Sequence, residues 1–217
     1  MNTLWWIAAL VVLSLVLVVY GWGPSNGEAA VRASFNSYKA ALKAHDGKAA
    51  VTFVDKNTLN YYDKMLDLAL RGTRESVLEL SILDKLMVLT IRHNLPLELV
   101  KQMSSKSFFV YSVKEGLIAD NSTINGLRIE HIMVSGTTAS GDATTTGGKV
   151  PPNTKWIFHK EDGHWKLDLT SIFPVINWAL EQAVHASGLS VEEFLFKILK
   201  SISGKPVKDA VWEPLIK

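Results

Sequence analysis

The run TKWIFHKEDGHWKLDLT, residues 154–170, constrains the fold more than any other part of the chain. Asp162-Gly163 lies between two β-rich segments, and that dipeptide is a strong signal for a two-residue hairpin turn. Closing the turn there pairs Glu161 with His164, Lys160 with Trp165, Phe158 with Leu167 and Trp156 with Leu169. Side chains alternate across a strand. One face therefore carries Trp156, Phe158, Trp165, Leu167 and Leu169, joined only by the stem of Lys160. The other carries Ile157, His159, Glu161, His164, Lys166 and Asp168. A ribbon divided in this way needs a core on one side and water or a partner on the other.

Ahead of the hairpin the pattern is helical. Val31, Phe35, Tyr38 and Leu42 share one face of a helix over residues 28–45. A short helix over 48–55 and a longer one over 58–70 follow, the latter with Leu59, Tyr62, Leu66 and Leu70 inward. Thr73 can cap a long helix reaching about His93, Pro96 can open a short one, and Ser105 can cap another that stops at Gly116. The period then changes to two. Leu127 and Ile129 alternate with Arg128 and Glu130, but Ile132 and Val134 continue in the opposite phase, which predicts a bulge near Glu130-His131. A polar strand over 137–146 leads to the hairpin. After it, a helix from Ser171 carries the stripe Ile172, Val175, Ile176, Ala179, Leu180 and Ala183. Ser190-Val191-Glu192-Glu193 is a capping box for a last helix to about Ser203.

The N-terminus has a different character. No charged side chain occurs before Glu28, and Leu4 to Tyr20 is almost unbroken apolar sequence. A helix of about 18 residues spans roughly 27 Å, close to the hydrocarbon thickness of a bilayer. Trp5, Trp6, Tyr20 and Trp22 at its ends resemble interfacial belts. Residues 1–23 are therefore expected to be a single-pass transmembrane anchor, touching the membrane through residues 4–22, with 24–27 as a linker. A cleaved signal peptide and a buried core helix are the competing readings. The following domain, 28–204, is expected on the extracytoplasmic or periplasmic side. Residues 205–217 form a tail that Trp212, Leu215 and Ile216 should dock.

Helices followed by an antiparallel sheet make an α+β order. With the first helix, residues 28–45, and the ending W-x-F-x-K-x-D-G-x-W-K-L-D-L in strands 156–169, the chain resembles the superfamily of the nuclear transport factor two and ketosteroid isomerase domains. The resemblance implies a cone-shaped α+β domain with a curved sheet, here carrying a helical insertion over about 58–115 and two extra C-terminal helices. It also implies a pocket between sheet and helices, in which enzymatic members hold a carboxylate or histidine base opposite a tyrosine or aspartate donor.

Function is less constrained. With 217 residues there is room for one domain and an appendage, or for two small domains. A net charge of +2 with no basic run between aromatics excludes nucleic acid as the main partner. The absence of cysteine removes disulfides and thiolate chemistry. The six histidines lack metal-binding spacing, and neither a phosphate loop nor a hydrolase elbow occurs, so no cofactor or metal is implied. The hairpin's apolar face offers no acid, which leaves Tyr38, Tyr61, Tyr62, Asp63, Tyr111 and His131 as candidates for proton chemistry and no catalytic residue to name. The first expectation is a membrane-anchored, non-catalytic domain that binds a protein partner or scaffolds an envelope complex. The alternative is a binder of small hydrophobic ligands, or an isomerase-like enzyme, with a pocket lined by Trp156, Phe158, Trp165, Leu167, Tyr38 and Tyr62.

Overall fold

The hairpin forms in the anticipated register. A computed structural model, which describes residues 26–118, 121–146 and 150–216, pairs Phe158 with Leu167, His159 with Lys166, Lys160 with Trp165 and Glu161 with His164. The strands are β3 (Lys155–Glu161) and β4 (His164–Asp168). Asp162 and Gly163 both have positive φ, 50° and 81°, as a turn matched to the strand twist requires. The expected Trp156–Leu169 pair does not form, because Leu169 opens a 3-10 turn, Leu169–Ile172. Asp168 Oδ1 accepts hydrogen bonds from Thr170 N and Thr170 Oγ1, and such local bonds compete with a strand ladder.

β1 (Leu127–Ser135) and β2 (Thr138–Thr145) complete an antiparallel meander in the order β1-β2-β3-β4. The predicted bulge is present. Glu130 pairs with Asp142 and Met133 with Ser140, and His131 takes a φ of 44° between them. A Cβ on Gly141 would lie 2.5 Å from Ile129 Cγ1, so only glycine fits opposite the bulge. Beyond β4, Val54 adds a parallel bridge to Leu167, with Asp55 N donating to Leu167 O at 3.1 Å.

Eight helices precede the sheet among the described residues: α1 (Asn26–Lys43), α2 (Gly47–Ala50), α3 (Lys56–Arg71), α4 (Arg74–Leu78), α5 (Ile82–Asn94), α6 (Leu97–Gln102), α7 (Ser105–Lys114) and α8 (Asn121–Gly126). Two follow it, α9 (Phe173–Ser187) and α10 (Val191–Ser203). The α1 stripe of Val31, Phe35, Tyr38 and Leu42 is buried and lies over the apolar face of the sheet. The Phe35 and Trp156 rings are 5.3 Å apart, Ser34 Oγ donates to Trp165 O at 2.7 Å, and Arg32 Nη1 donates to Ile129 O at 2.9 Å.

Three expectations are corrected. The long helix from Thr73 to His93 is two helices. Thr73 caps α4 as read, but Ser81 accepts from Asp84 N and starts α5 anew; a second capping serine divides the helix although the apolar spacing runs on through it. The fold led by a transmembrane helix is not retained either. Among the described residues no helix is long and apolar enough to cross a membrane. The longest of them, α1, carries Glu28, Arg32, Lys39 and Lys43. Residues 1–23, and with them the contact assigned to residues 4–22, lie outside the described residues. Of the linker, Asn26 and Gly27 belong to α1. The descriptions membrane, transmembrane and single-pass thus find no helix among the described residues to carry them.

The tail docks as anticipated. Val211 and Trp212 are buried, and Leu215 N and Ile216 N donate to Ala69 O and Leu70 O at 3.2 and 2.9 Å. Arg92, which sequence reasoning did not single out, holds this seam. Its guanidinium donates to Leu68 O, Ala69 O and Gly72 O at the end of α3, and to Trp212 O, at 2.5–3.1 Å. Burial lowers its pKa to about 10, while carbonyls at a helix C-terminus favour the cation.

Candidate functional site

The apolar face of the sheet is not packed solid against the helices. A cavity of about 290 Å³ remains. Tyr38 and Leu42 of α1, Tyr61 and Tyr62 of α3, and Phe108 and Ser112 of α7 form one side. Leu86, Met87 and Thr90 of α5 form another, and Leu127, Trp156 and Leu169 bring the sheet to it. Phe173 and Ile176 of α9 and Ile202 of α10 close the remaining side. Ile202 lines the cavity although it is 49% exposed, so the chamber reaches the surface beside α10.

This explains why α9 departs from its sequence reading. Its apolar stripe was expected to be a core face, yet no residue of α9 is buried. The helix borders the cavity: Ile176 lines it, and Phe173 lines it while its ring packs against that of Tyr61, 4.6 Å away. Polar contacts hold the two last helices in place. Asn177 Oδ1 accepts from Leu83 N at 3.2 Å, and His93 Nε2 lies 2.9 Å from Ser203 Oγ.

The described lining is uncharged. None of its residues is Asp, Glu, Lys, Arg or His. Its hydroxyls are mostly committed: Tyr61 Oη donates to Asp84 Oδ1 at 2.8 Å, Thr90 Oγ1 to Leu86 O at 2.6 Å and Ser112 Oγ to Phe108 O at 2.9 Å. The Tyr38 hydroxyl is buried and without a hydrogen-bond partner. Burial, and then the neighbouring Tyr62, push the Tyr38 phenol well above the usual tyrosine range. Burial does the same to Tyr62, and burial and then Asp84 to Tyr61. All three phenols are neutral hydrogen-bonding groups at physiological pH, and none can serve as a base there.

No family model matches this chain, and no curated protein or solved structure matches it. The site is therefore judged on its own chemistry. Of the residues anticipated in a pocket, Tyr38, Tyr62 and Trp156 line the cavity. Phe158, Trp165 and Leu167 are buried in the core without lining it. Here α1 closes directly onto the sheet, as the bond from Ser34 to Trp165 O marks. The other candidates for proton chemistry are scattered. Asp63 is exposed, Tyr111 is half-buried on α7, and His131 is exposed and paired with Asp142 at 2.9 Å.

The reverse face of the sheet holds a cluster that sequence spacing did not reveal. Asp55, His159 and Asp168 each offer a ligand atom within 4.8 Å of the others. Asp55 Oδ2 meets His159 Nδ1 at 2.8 Å, and its Oδ1 caps α3 by accepting from Thr58 N at 2.9 Å. Asp168 Oδ2 accepts from Asn57 Nδ2 at 3.1 Å, and its Oδ1 serves Thr170. Every carboxylate oxygen is already engaged, so the cluster fastens the start of α3 to the sheet. The spacing Asp55-x-x-Thr58 is the one sequence signal that could have located it, as a helix cap.

Proposed function

We propose that this domain binds a small hydrophobic molecule in the cavity beneath α9 and α10, without catalysing its conversion. The observation that carries this reading is an apolar chamber whose described lining has no ionisable group other than phenols. Its volume is near the lower end of the range of about 300–1,000 Å³ usual for small-molecule sites. An isomerase-like role has less support, since the described lining supplies neither carboxylate nor imidazole to move a proton. The succession of helices and a four-stranded antiparallel sheet supports the resemblance to the nuclear transport factor two and ketosteroid isomerase superfamily, which we propose on that outline alone.

The test is a screen of apolar fragments against the full chain by ligand-observed NMR, with Leu86→Trp as a filled-cavity control. Fragments should bind the natural protein and be lost from a folded Leu86→Trp variant. Binding that survives the filling, or none to the natural protein, overturns the reading. A second reading, docking of a protein partner, is favoured by Trp178. That residue is 45% exposed, beside Pro174 and Val175, on an open groove against the reverse face of the sheet. Trp178→Ala would then abolish partner capture and spare fragment binding.

A further inference from the structure

Resting on the cavity reading and narrowing it, we propose that the ligand is an uncharged, largely apolar molecule carrying one oxygen, an alcohol or a carbonyl, that hydrogen-bonds the Tyr38 hydroxyl. Buried polar groups in folded proteins almost always have a partner, and an exception calls for a reason. Tyr38 lies on the cavity wall, and its hydroxyl is buried and unpaired. A phenylalanine would fill the same volume without that unmet bond. The neighbouring hydroxyls of Tyr61, Thr90 and Ser112 are occupied by protein acceptors, and among the buried side-chain polar atoms of the described residues it is the Tyr38 hydroxyl that lacks a partner.

The charge of the guest follows from the walls. A carboxylate or an ammonium brought into this chamber would lose its water and meet no counter-ion among the described lining residues, which is prohibitive in an apolar site. A neutral oxygen loses less water and recovers a hydrogen bond from the phenol. The rest of the guest must be apolar, because apart from Thr123 the remaining walls are leucine, isoleucine, methionine and aromatic rings. Access is beside Ile202, which is half-exposed, and Thr123 is a second exposed member of the lining.

Four probes on one skeleton test this with the full chain: butylbenzene, phenylbutanol, phenylbutanone and phenylbutyrate, each titrated at neutral pH by NMR. The alcohol and the ketone should bind at least about ten-fold more tightly than phenylbutyrate. Tyr38→Phe should weaken the alcohol and the ketone by about ten-fold, the equivalent of one good hydrogen bond, and change butylbenzene by less than about three-fold. The hydrocarbon also reports that the variant is folded with its cavity intact. Phenylbutyrate binding as well as the alcohol, or equal losses for hydrocarbon and alcohol in Tyr38→Phe, would overturn the assignment of Tyr38 while leaving the cavity reading in place. Failure of all four to bind the natural protein would overturn both.

Discussion

On the reverse face of β3 and β4, Asp55 and Asp168 are buried, yet each of their oxygens has a partner. On the opposite side, beneath α1, most of the described lining is hydrocarbon, and the buried Tyr38 hydroxyl lacks one. The first region has the residues of a catalytic or metal site and uses them as fasteners. The second has almost no reactive side chains and retains an unmet bond. Polar density is thus a poor guide to function in this fold. A satisfied network rigidifies, whereas an unsatisfied atom beside a void is completed only by something that enters it.

The comparison breaks most visibly if the apolar face is not the core. Phe158 is fully buried on β3, and Phe158→Ala should cost about 3–5 kcal/mol in a urea melt. A cost below about 1 kcal/mol would mean that the ring is not supporting the sheet. Next in size is the reverse face. Asp55→Ala removes the cap of α3 and the acceptor of His159, a loss of about 2–3 kcal/mol. Butylbenzene should bind the folded Asp55→Ala protein as it binds the natural one. Loss of binding without loss of fold would show that the two faces are coupled.

These two positions also mark what the chain reveals before it folds. The inner face was legible because Trp156, Phe158, Trp165 and Leu167 alternate at the strand period and Asp162-Gly163 sets their register; burial of period-two apolar residues is a local property. The bulge was legible for the same reason, as a phase slip between Ile129 and Ile132. Asp55 and His159 meet across 104 residues of chain, and no local pattern encodes that meeting. The break at Ser81 was missed because apolar spacing continues through it, and a cap matters only once the turn forms. The cavity was half legible. Tyr38 and Tyr62 were placed on inward faces, but a void under α9 is a failure of packing, and periodicity reports which face is inward without reporting whether it is filled.

Tyr38→Phe sharpens the contrast with a smaller effect of opposite sign. Removing a hydroxyl that has no partner should stabilise the ligand-free protein by about 1 kcal/mol, where most phenol deletions at satisfied sites destabilise. The variant also has a pH signature. Burial raises the folded pKa of Tyr38 above the unfolded value. Above about pH 10 the unfolded chain therefore sheds a proton that the folded chain keeps, and stability declines as pH rises. The natural protein should lose about 1.4 kcal/mol per pH unit more than Tyr38→Phe in that range. Parallel curves, or a destabilised variant at neutral pH, would mean that the hydroxyl has found a partner.

The smallest effect concerns the seam that closes the chamber. His93 joins α5 to α10 through Ser203, next to Ile202 at the opening. Burial, and then Lys205, lower its pKa. Above about pH 6.5 the ring is neutral in both states and contributes no slope; as pH falls through that value the unfolded chain takes up a proton that the folded chain resists, so stability falls. His93→Gln keeps a hydrogen-bonding group for Ser203 and cannot titrate, so its melting temperature should vary less between pH 7 and 5. Protonation also strains the seam beside the opening. Phenylbutanol should therefore leave the natural protein about two-fold faster at the lower pH, equivalent to about 0.4 kcal/mol, and leave His93→Gln at an unchanged rate. An equal acceleration in both proteins would show that the opening is governed elsewhere, and the reverse face, with His159 against Asp55, would then be the place to look.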